Sequence, residues 1–289
     1  MFIGAARKFL TLAKNNYRRI AASGSINSLS KSSHELGPKL SDAITRTLGG
    51  KLSQEESIWI QKIEKRRAEL LADSRAFLVT DYGAGAGDRK RTMEEAAVGV
   101  QFESTVSQYA KFSRNKLHAT LLFNVIRAVR PQRCVELGTC VGISASYQAA
   151  ALALNGTGRI TTLEGAEKVA EVARESFATL GLDNVDVIVG PFSATLAEAL
   201  NSSPPCDLLF NDGHHDGEAV INYFNIALPL IADEVIIFLD DIYWSESMTA
   251  GWNTLLKDPR VRISIDFGSM GMLVLGGSSR SVEHFKIRV

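Results

Sequence analysis

Cysteine is scarce and poorly placed for pairing. Cys134, Cys140 and Cys206 are the three in 289 residues, and no two form a C-x-x-C pair. An odd number without that spacing argues against a disulfide scaffold or a structural zinc site, and points to a reducing compartment; the chain is read as cytoplasmic. Proline is rare too, at seven residues, which excludes a proline-rich disordered chain. An excess of either charge is missing: Lys+Arg and Asp+Glu are both 32, so there is no general attraction to nucleic acid. No apolar run approaches 18 residues, so no transmembrane span is expected. The G-x-S-x-G elbow of the serine hydrolases is absent as well.

What is present is ordinary globular material, 45% apolar and 22% charged. At roughly 150 residues per domain its length suits one large or two small domains. The charge balance is uneven along the chain. Residues 1–34 hold six basic side chains (Arg7, Lys8, Lys14, Arg18, Arg19, Lys31) and no acid, leaving 26 basic and 32 acidic groups in the remainder. Ile3, Ala6, Leu10, Ala13, Tyr17 and Ile20 recur there at helical spacing. A basic amphipathic helix over residues 1–20 packs on its own protein in the simplest reading. It also suits an anionic membrane surface or a partner, and resembles a mitochondrial transit peptide.

Four regions follow from the pattern. Residues 1–50 read as the basic helix and a Ser/Gly-rich linker, with at most one short helix over 23–50. Residues 51–115 read as a helical extension. There Ser53-Gln-Glu-Glu56 is a capping box opening a helix to about Ala72, and Asp81-Tyr-Gly-Ala-Gly-Ala-Gly-Asp-Arg-Lys-Arg91 is a glycine-rich basic loop with Tyr82 as a lid candidate. Residues 116–276 are the regular part, and 277–289 a C-terminal tail. From residue 116 strand and helix alternate. Apolar runs at Arg133–Leu137, Arg159–Leu163, Val185–Val189, Asp207–Asn211 and Glu234–Leu239 are separated by helical stretches at 142–154, 166–180, 193–201, 216–230 and 245–257. Nearly continuous apolar strands in strict alternation with helices predict a parallel sheet covered on both faces. Val261–Phe267 and Gly271–Leu275 are too close for a crossover and must form an antiparallel hairpin.

In such a sheet ligands bind beyond the carboxyl ends of the strands. The first strand leaves through Glu136-Leu-Gly138-Thr139-Cys-Val-Gly142-Ile-Ser144, whose G-x-x-x-G spacing differs from the dinucleotide fingerprint. The second ends in Glu164-Gly165, where an acid suits the two hydroxyls of a ribose, and Phe192 after the third could border an adenine. The fourth and fifth end in Asp212-Gly-His214-His215 and Asp240-Asp241. Three neighbouring carboxylates repel unless a cation compensates, and three oxygens plus waters suit Mg²⁺ or a similar hard divalent ion. The alternative is that Asp240 or Asp241 merely caps a helix. His214 and His215 are candidates for acid–base work at neutral pH, whereas His34, His118 and His284 have no such context.

At these residues the sequence resembles the class I S-adenosylmethionine-dependent methyltransferases, over about residues 116–276. It is most similar to the metal-dependent catechol and caffeoyl-CoA O-methyltransferases and to their sugar- and antibiotic-tailoring relatives. The resemblance implies an α/β fold: a doubly wound, Rossmann-like, seven-stranded sheet with an antiparallel last strand, here with a mainly helical N-terminal extension. It implies S-adenosyl-L-methionine as cofactor, bound by Glu136, Gly138, Thr139, Gly142, Ser144, Glu164, Gly165, Phe192 and Asp212. It also implies Mg²⁺ or a similar ion on Asp212, Asp240 and Asp241, and a small-molecule hydroxyl as acceptor. Asp212 and His215 are the implied catalytic residues. Two departures stand out: catechol enzymes carry lysine where His215 stands, and usually asparagine where Asp241 stands. Ser113-Arg114-Asn115 lies where it could border the metal or cofactor. A homo-oligomer is compatible with the sequence. The competing readings are a nicotinamide-dependent oxidoreductase, which the acidic rim disfavours, and a non-catalytic binding module.

Overall fold

Short β-branched runs and amphipathic stretches alternate because neither can bury its apolar side alone. The computed structural model describes residues 17–83, 98–201 and 204–289. Residues 17–29 are helical. There follow α1 (Leu36–Gly49), α2 (Gln54–Leu71), an antiparallel ribbon of β1 (Ala76–Asp81) and β2 (Val100–Thr105), a single turn α3 (Val106–Ala110), and α4 (Lys116–Val129). The regular part is β3 (Arg133–Leu137), α5 (Ile143–Asn155), β4 (Arg159–Glu164), α6 (Glu167–Leu180), β5 (Val185–Val189), α7 (Phe192–Leu200), β6 (Cys206–Asn211), α8 (Gly217–Ala227), β7 (Ile231–Leu239), α9 (Glu246–Leu255), β8 (Val261–Asp266), β9 (Gly271–Leu275) and β10 (Glu283–Lys286).

The sheet runs β10-β8-β9-β7-β6-β3-β4-β5 among the described residues. β9 is antiparallel to both its neighbours, as the short Gly268-Ser-Met270 connection requires, and every other pairing is parallel. Side chains alternate across it. Cys134, Ile160, Phe210, Ile236 and Phe238 face a core shared with α4, α5, α6 and the N-terminal helices. Val135, Leu137, Leu163, Leu209, Ile237 and Leu239 face α7, α8 and α9.

The capping box forms as read: Ser53 Oγ accepts from Glu56 N–H at 3.2 Å, and Glu56 Oε2 from Ser53 N–H at 2.8 Å. Three readings are corrected. The stretch 23–50 is mostly two helices rather than a linker, and Leu29, Leu40, Ala43 and Ile44 lie in the main core. Its hydroxyls are satisfied inside helices: Thr45 and Thr47 donate to the carbonyls of Ser41 and Ala43, each at 2.8 Å. The tail is not free. Glu283–Lys286 adds an eighth strand beside β8, and Ile287 and Val289 are buried. Tyr17 and Ile20, placed on the apolar stripe of the basic helix, are 74% and 65% exposed, while Ala22, Ile26 and Leu29 make the inward face. Residues 1–16 and most of the glycine-rich loop lie outside the described residues. No helix among the described residues is long and apolar enough to cross a membrane.

Candidate active site at the carboxyl rim of the sheet

Strand register decides which residues meet. Leu137 lies beside Asn211, and Asn211 beside Leu239. The next residues, Gly138, Asp212 and Asp240, therefore stand on one rim. Gly138 has φ +97°, and a Cβ there would lie 2.5 Å from the Asp212 carbonyl oxygen; only glycine fits. Its N–H and that of Thr139 both donate to Leu163 O at 3.0 Å, tying the turn between β4 and β6. Gly142, φ +85°, opens α5 with its Cα against the Phe177 ring.

Beneath this turn Glu136 is wholly buried. Its carboxylate accepts from Gln148 Nε2 at 2.8 Å and Thr162 Oγ1 at 2.6 Å, and Ser144 adds a further side-chain hydrogen bond. Burial outweighs these bonds and pushes its pKa up to about 7. Thr139 Oγ1 lies 2.7 Å from Thr162 Oγ1, extending the network to the turn. Glu164 leaves β4 with each oxygen on one backbone donor, Oε2 on Cys140 N–H at 2.8 Å and Oε1 on Ala166 N–H at 3.0 Å. Burial also pushes it up to about 7. Two groups from the N-terminal extension crowd this corner: the Tyr82 ring packs over Gly165, and Asp81 is near enough for its charge to raise Glu164 further.

At the opposite corner the carboxylates gather. Asp240 is 1% exposed and in hydrogen-bond contact with Asp212. Burial, then the Asp240 charge, raises Asp212 well above the carboxylate range; the same two causes raise Asp241, against the pull of Arg114 and His215. Asp241 adopts φ +51°, in the left-handed region. The compensating cation is Arg114. Its Nη1 donates to Asp240 Oδ1, and Nη1 and Nη2 stand 3.5 Å from Asp241 Oδ1. His215 Nδ1 lies 3.9 Å from Asp241 Oδ2, with the exposed Trp244 ring beside it at 6.4 Å between centroids.

The structure thus joins Gly138, Asp212, Asp240, Asp241, His215 and Arg114 on one rim. His214 turns away, its Nδ1 3.2 Å from Tyr223 Oη. Phe192 is a core side chain, edge-on to Tyr223 and against Gly213. For the Mg²⁺ that the resemblance implies, no group of three or more His, Cys, Asp or Glu side chains is assembled as a cage among the described residues. The rim acids are instead paired with one another and with Arg114: Asp212 is hydrogen-bonded to Asp240, and Arg114 Nη1 donates to Asp240 Oδ1. Sequence reasoning placed Arg114 near the site but gave it no partner, because a contact across 126 residues leaves no local signal. Asp81 was unassigned for the same reason.

A methyltransferase-domain family matches residues 135–242, from the middle of β3 to just beyond Asp241. Those residues are similar to a methyltransferase domain. The catechol O-methyltransferase of Mycobacterium tuberculosis (strain ATCC 25618 / H37Rv) is 34% identical over 116 residues, which is 40% of this chain and 50% of that protein. The chain thus spans half the length of that curated relative. Two solved structures share the fold. An S-adenosylhomocysteine-bound methyltransferase of Podospora anserina is 21% identical, with TM-score 0.51 over 58% of this chain and 82% of that one. An O-methyltransferase of Bacillus cereus, also with S-adenosylhomocysteine, is 20% identical, with TM-score 0.51 over 68% and 96%. The matched stretch accordingly lies within the regular part of the chain, and the N-terminal extension contributes Asp81, Tyr82 and Arg114 to the rim.

Proposed function

We propose that the protein transfers a methyl group from S-adenosylmethionine to a hydroxyl of a small molecule. The observation that carries this reading is a pair of corners on one rim: Glu164, held by two backbone N–H groups, and the acidic cluster with His215. Each Glu164 oxygen keeps a lone pair for a ribose hydroxyl, with Gly165 and Tyr82 alongside. The Gly138–Gly142 turn, with Thr139, lets the methionine part lie against the backbone, above Glu136 and Ser144. Asp212 flanks the adenosine from the end of β6.

Transfer is an in-line displacement: the acceptor oxygen forms a bond to the methyl carbon as the carbon–sulfur bond breaks, and sulfur leaves as a neutral thioether. The hydroxyl proton goes to the His215 imidazole, which faces Asp241 and is steadied as an imidazolium by it. Such general-base help is worth about 10²–10⁴-fold. Holding oxygen, carbon and sulfur in line contributes ~7–11 kcal/mol, so positioning by the rim is the larger effect. Were Mg²⁺ or a similar ion to bind, Asp212, Asp240 and Asp241 would be the side chains to hold it, and it would stabilise an oxyanion. The catechol relative supports a hydroxyl acceptor. The free state of Cys134, Cys140 and Cys206 suits a cytoplasmic protein.

Melting temperature tests this directly, with S-adenosylmethionine, S-adenosylhomocysteine or NADH, each with Mg²⁺ or chelator. Ligand at ~100 times Kd stabilises by about 2.7 kcal/mol, a rise of several degrees at this size. A rise with the adenosyl ligands is expected, larger with Mg²⁺. A rise independent of Mg²⁺ keeps the transferase and removes the ion. A rise with NADH alone overturns the reading.

A further inference from the structure

One wall of the Glu164 corner comes from the N-terminal extension. We propose that Tyr82 is a cofactor-binding residue whose ring stacks on the adenine of the adenosyl group, as the outer wall of the pocket that opens at Glu164. The proposal rests on the reading of Glu164 as the acid that takes the ribose hydroxyls.

Three observations support it. First, Gly165 lies outside the left-handed region, so its backbone does not itself require glycine. Apart from its chain neighbours, a Cβ there would meet within 4 Å only the Tyr82 ring among the described residues, Cδ2 at 3.0 Å and Cε2 at 3.7 Å. Tyr82 therefore occupies the space that a side chain directly after Glu164 would fill. The other edge of the ring borders Gly99, where a Cβ would stand 3.2 Å from Cε1, and Tyr82 stays half-buried. Second, the ring is held in place by the ribbon that carries it. Val79, 1% exposed, packs with Ala166 and Val169 at the start of α6, the helix that follows Gly165. Just before β1, the Arg75 guanidinium grips Glu175 of the same helix, Nη1 to Oε1 at 3.1 Å and Nη2 to Oε2 at 2.8 Å. A wall fixed before the ligand arrives costs little ordering on binding. Third, Phe192, the ring expected beside the adenine, is packed into the core against Gly213 and Tyr223, which leaves stacking to a residue from elsewhere. A base gains from an aromatic face what an aliphatic side chain of similar size does not supply.

Calorimetric titration of the full chain with S-adenosylhomocysteine reads the contribution of the ring. Tyr82→Phe should bind within about threefold of wild type, whereas Tyr82→Leu and Tyr82→Ala should bind at least about tenfold more weakly. Gly165→Ala should weaken binding at least about fivefold by displacing the ring, yet cost less than about twofold in the Tyr82→Ala background. A ring that only packs the ribbon would be replaced by leucine, so a loss below threefold in Tyr82→Leu overturns the proposal. So does a loss in Tyr82→Phe as large as that in Tyr82→Leu, or a cost of Gly165→Ala that is the same with and without the ring. If Tyr82→Ala does not fold, judged by melting temperature, the contrast between Tyr82→Leu and Tyr82→Phe decides alone. Wild type that binds the ligand no better than the leucine and alanine variants refutes Tyr82 alone. Wild type that does not bind it at all counts against the methyltransferase reading itself.

Discussion

At the scale of single residues, two buried glutamates differ from their surface counterparts chiefly in acid strength. Glu136 is lifted from 4.5 to about 7 by burial. A carboxyl whose pKa rises on folding keeps its proton in the native state while the unfolded chain has lost it. Its contribution to stability is therefore full below pH 4.5, falls as pH rises to about 7, and is constant above. The loss attached to Glu136 is about 3 kcal/mol. Glu136→Gln should remove that slope, so that urea denaturation finds the variant gaining on wild type between pH 5 and 7; parallel curves would contradict it. Glu164, lifted likewise, leaves the remainder of the slope in both proteins. At the rim, Glu164→Ala should weaken S-adenosylhomocysteine binding at least tenfold in calorimetry. His215→Gln should leave that affinity within about twofold and lower kcat by about 10²–10⁴. Comparable loss of binding in both variants would defeat the division of roles. Glu136, Glu164, Asp212 and Asp240 were recognisable as strand-end acids. Arg114 was not recognisable as their partner, since nothing in Ser113-Arg114-Asn115 distinguishes an inward arginine from an outward one.

Among elements, α2 illustrates a local signal with a non-local purpose. Its capping box was plain in Ser53-Gln-Glu-Glu56, yet the Glu56 carboxylate also binds Arg46 of α1 at 2.6 Å and Arg127 of α4 at 3.1 Å. Burial works to raise its pKa, but the Ser53 N–H and the two guanidiniums prevail and lower it. Glu56→Ala should cost about 3–5 kcal/mol by urea denaturation, because it orphans two arginines beside a lost cap. A cost below 1 kcal/mol would mean that the three helices are held by apolar packing alone. The helices over 17–29 and Leu36–Gly49 were hidden because serine, threonine and glycine resemble a linker until their hydroxyls are seen paired to carbonyls. Ser41 Oγ, for example, donates to Ile26 O at 3.0 Å, joining one helix to the other. β10 was hidden for a different reason: four residues of an edge strand, half of them exposed, carry too little alternation to be read.

For the whole molecule, the core of the methyltransferase-like region is not bounded by its recognisable motifs. Leu40, Ile44, Ile60 and Ile63 share one core with Phe210 and Phe238, and the last residues close the other edge. Ile287 N–H donates to Asp266 O at 2.9 Å and places a fully buried side chain. Truncation after Gly276 should therefore cost about 3–5 kcal/mol, chiefly from Ile287 and Val289 at roughly 1.5–3 kcal/mol each, read from the urea midpoint. An unchanged midpoint would restore the tail to a passive role.

Over residues 116–276 the sequence by itself determined the order of strands and helices, the reversal at β9 and the acids at the strand ends, because each rests on periodicity, loop length or a turn only a few residues long. Tertiary structure decided that Arg114 pairs with the acidic rim, that Asp81 and Tyr82 crowd Glu164, and that Ala22, Ile26 and Leu29 near the start and Ile287 and Val289 at the end belong to the core. Those contacts join residues tens to hundreds of positions apart, and their energy comes from burial and charge pairing that exist only once the sheet has brought the partners together.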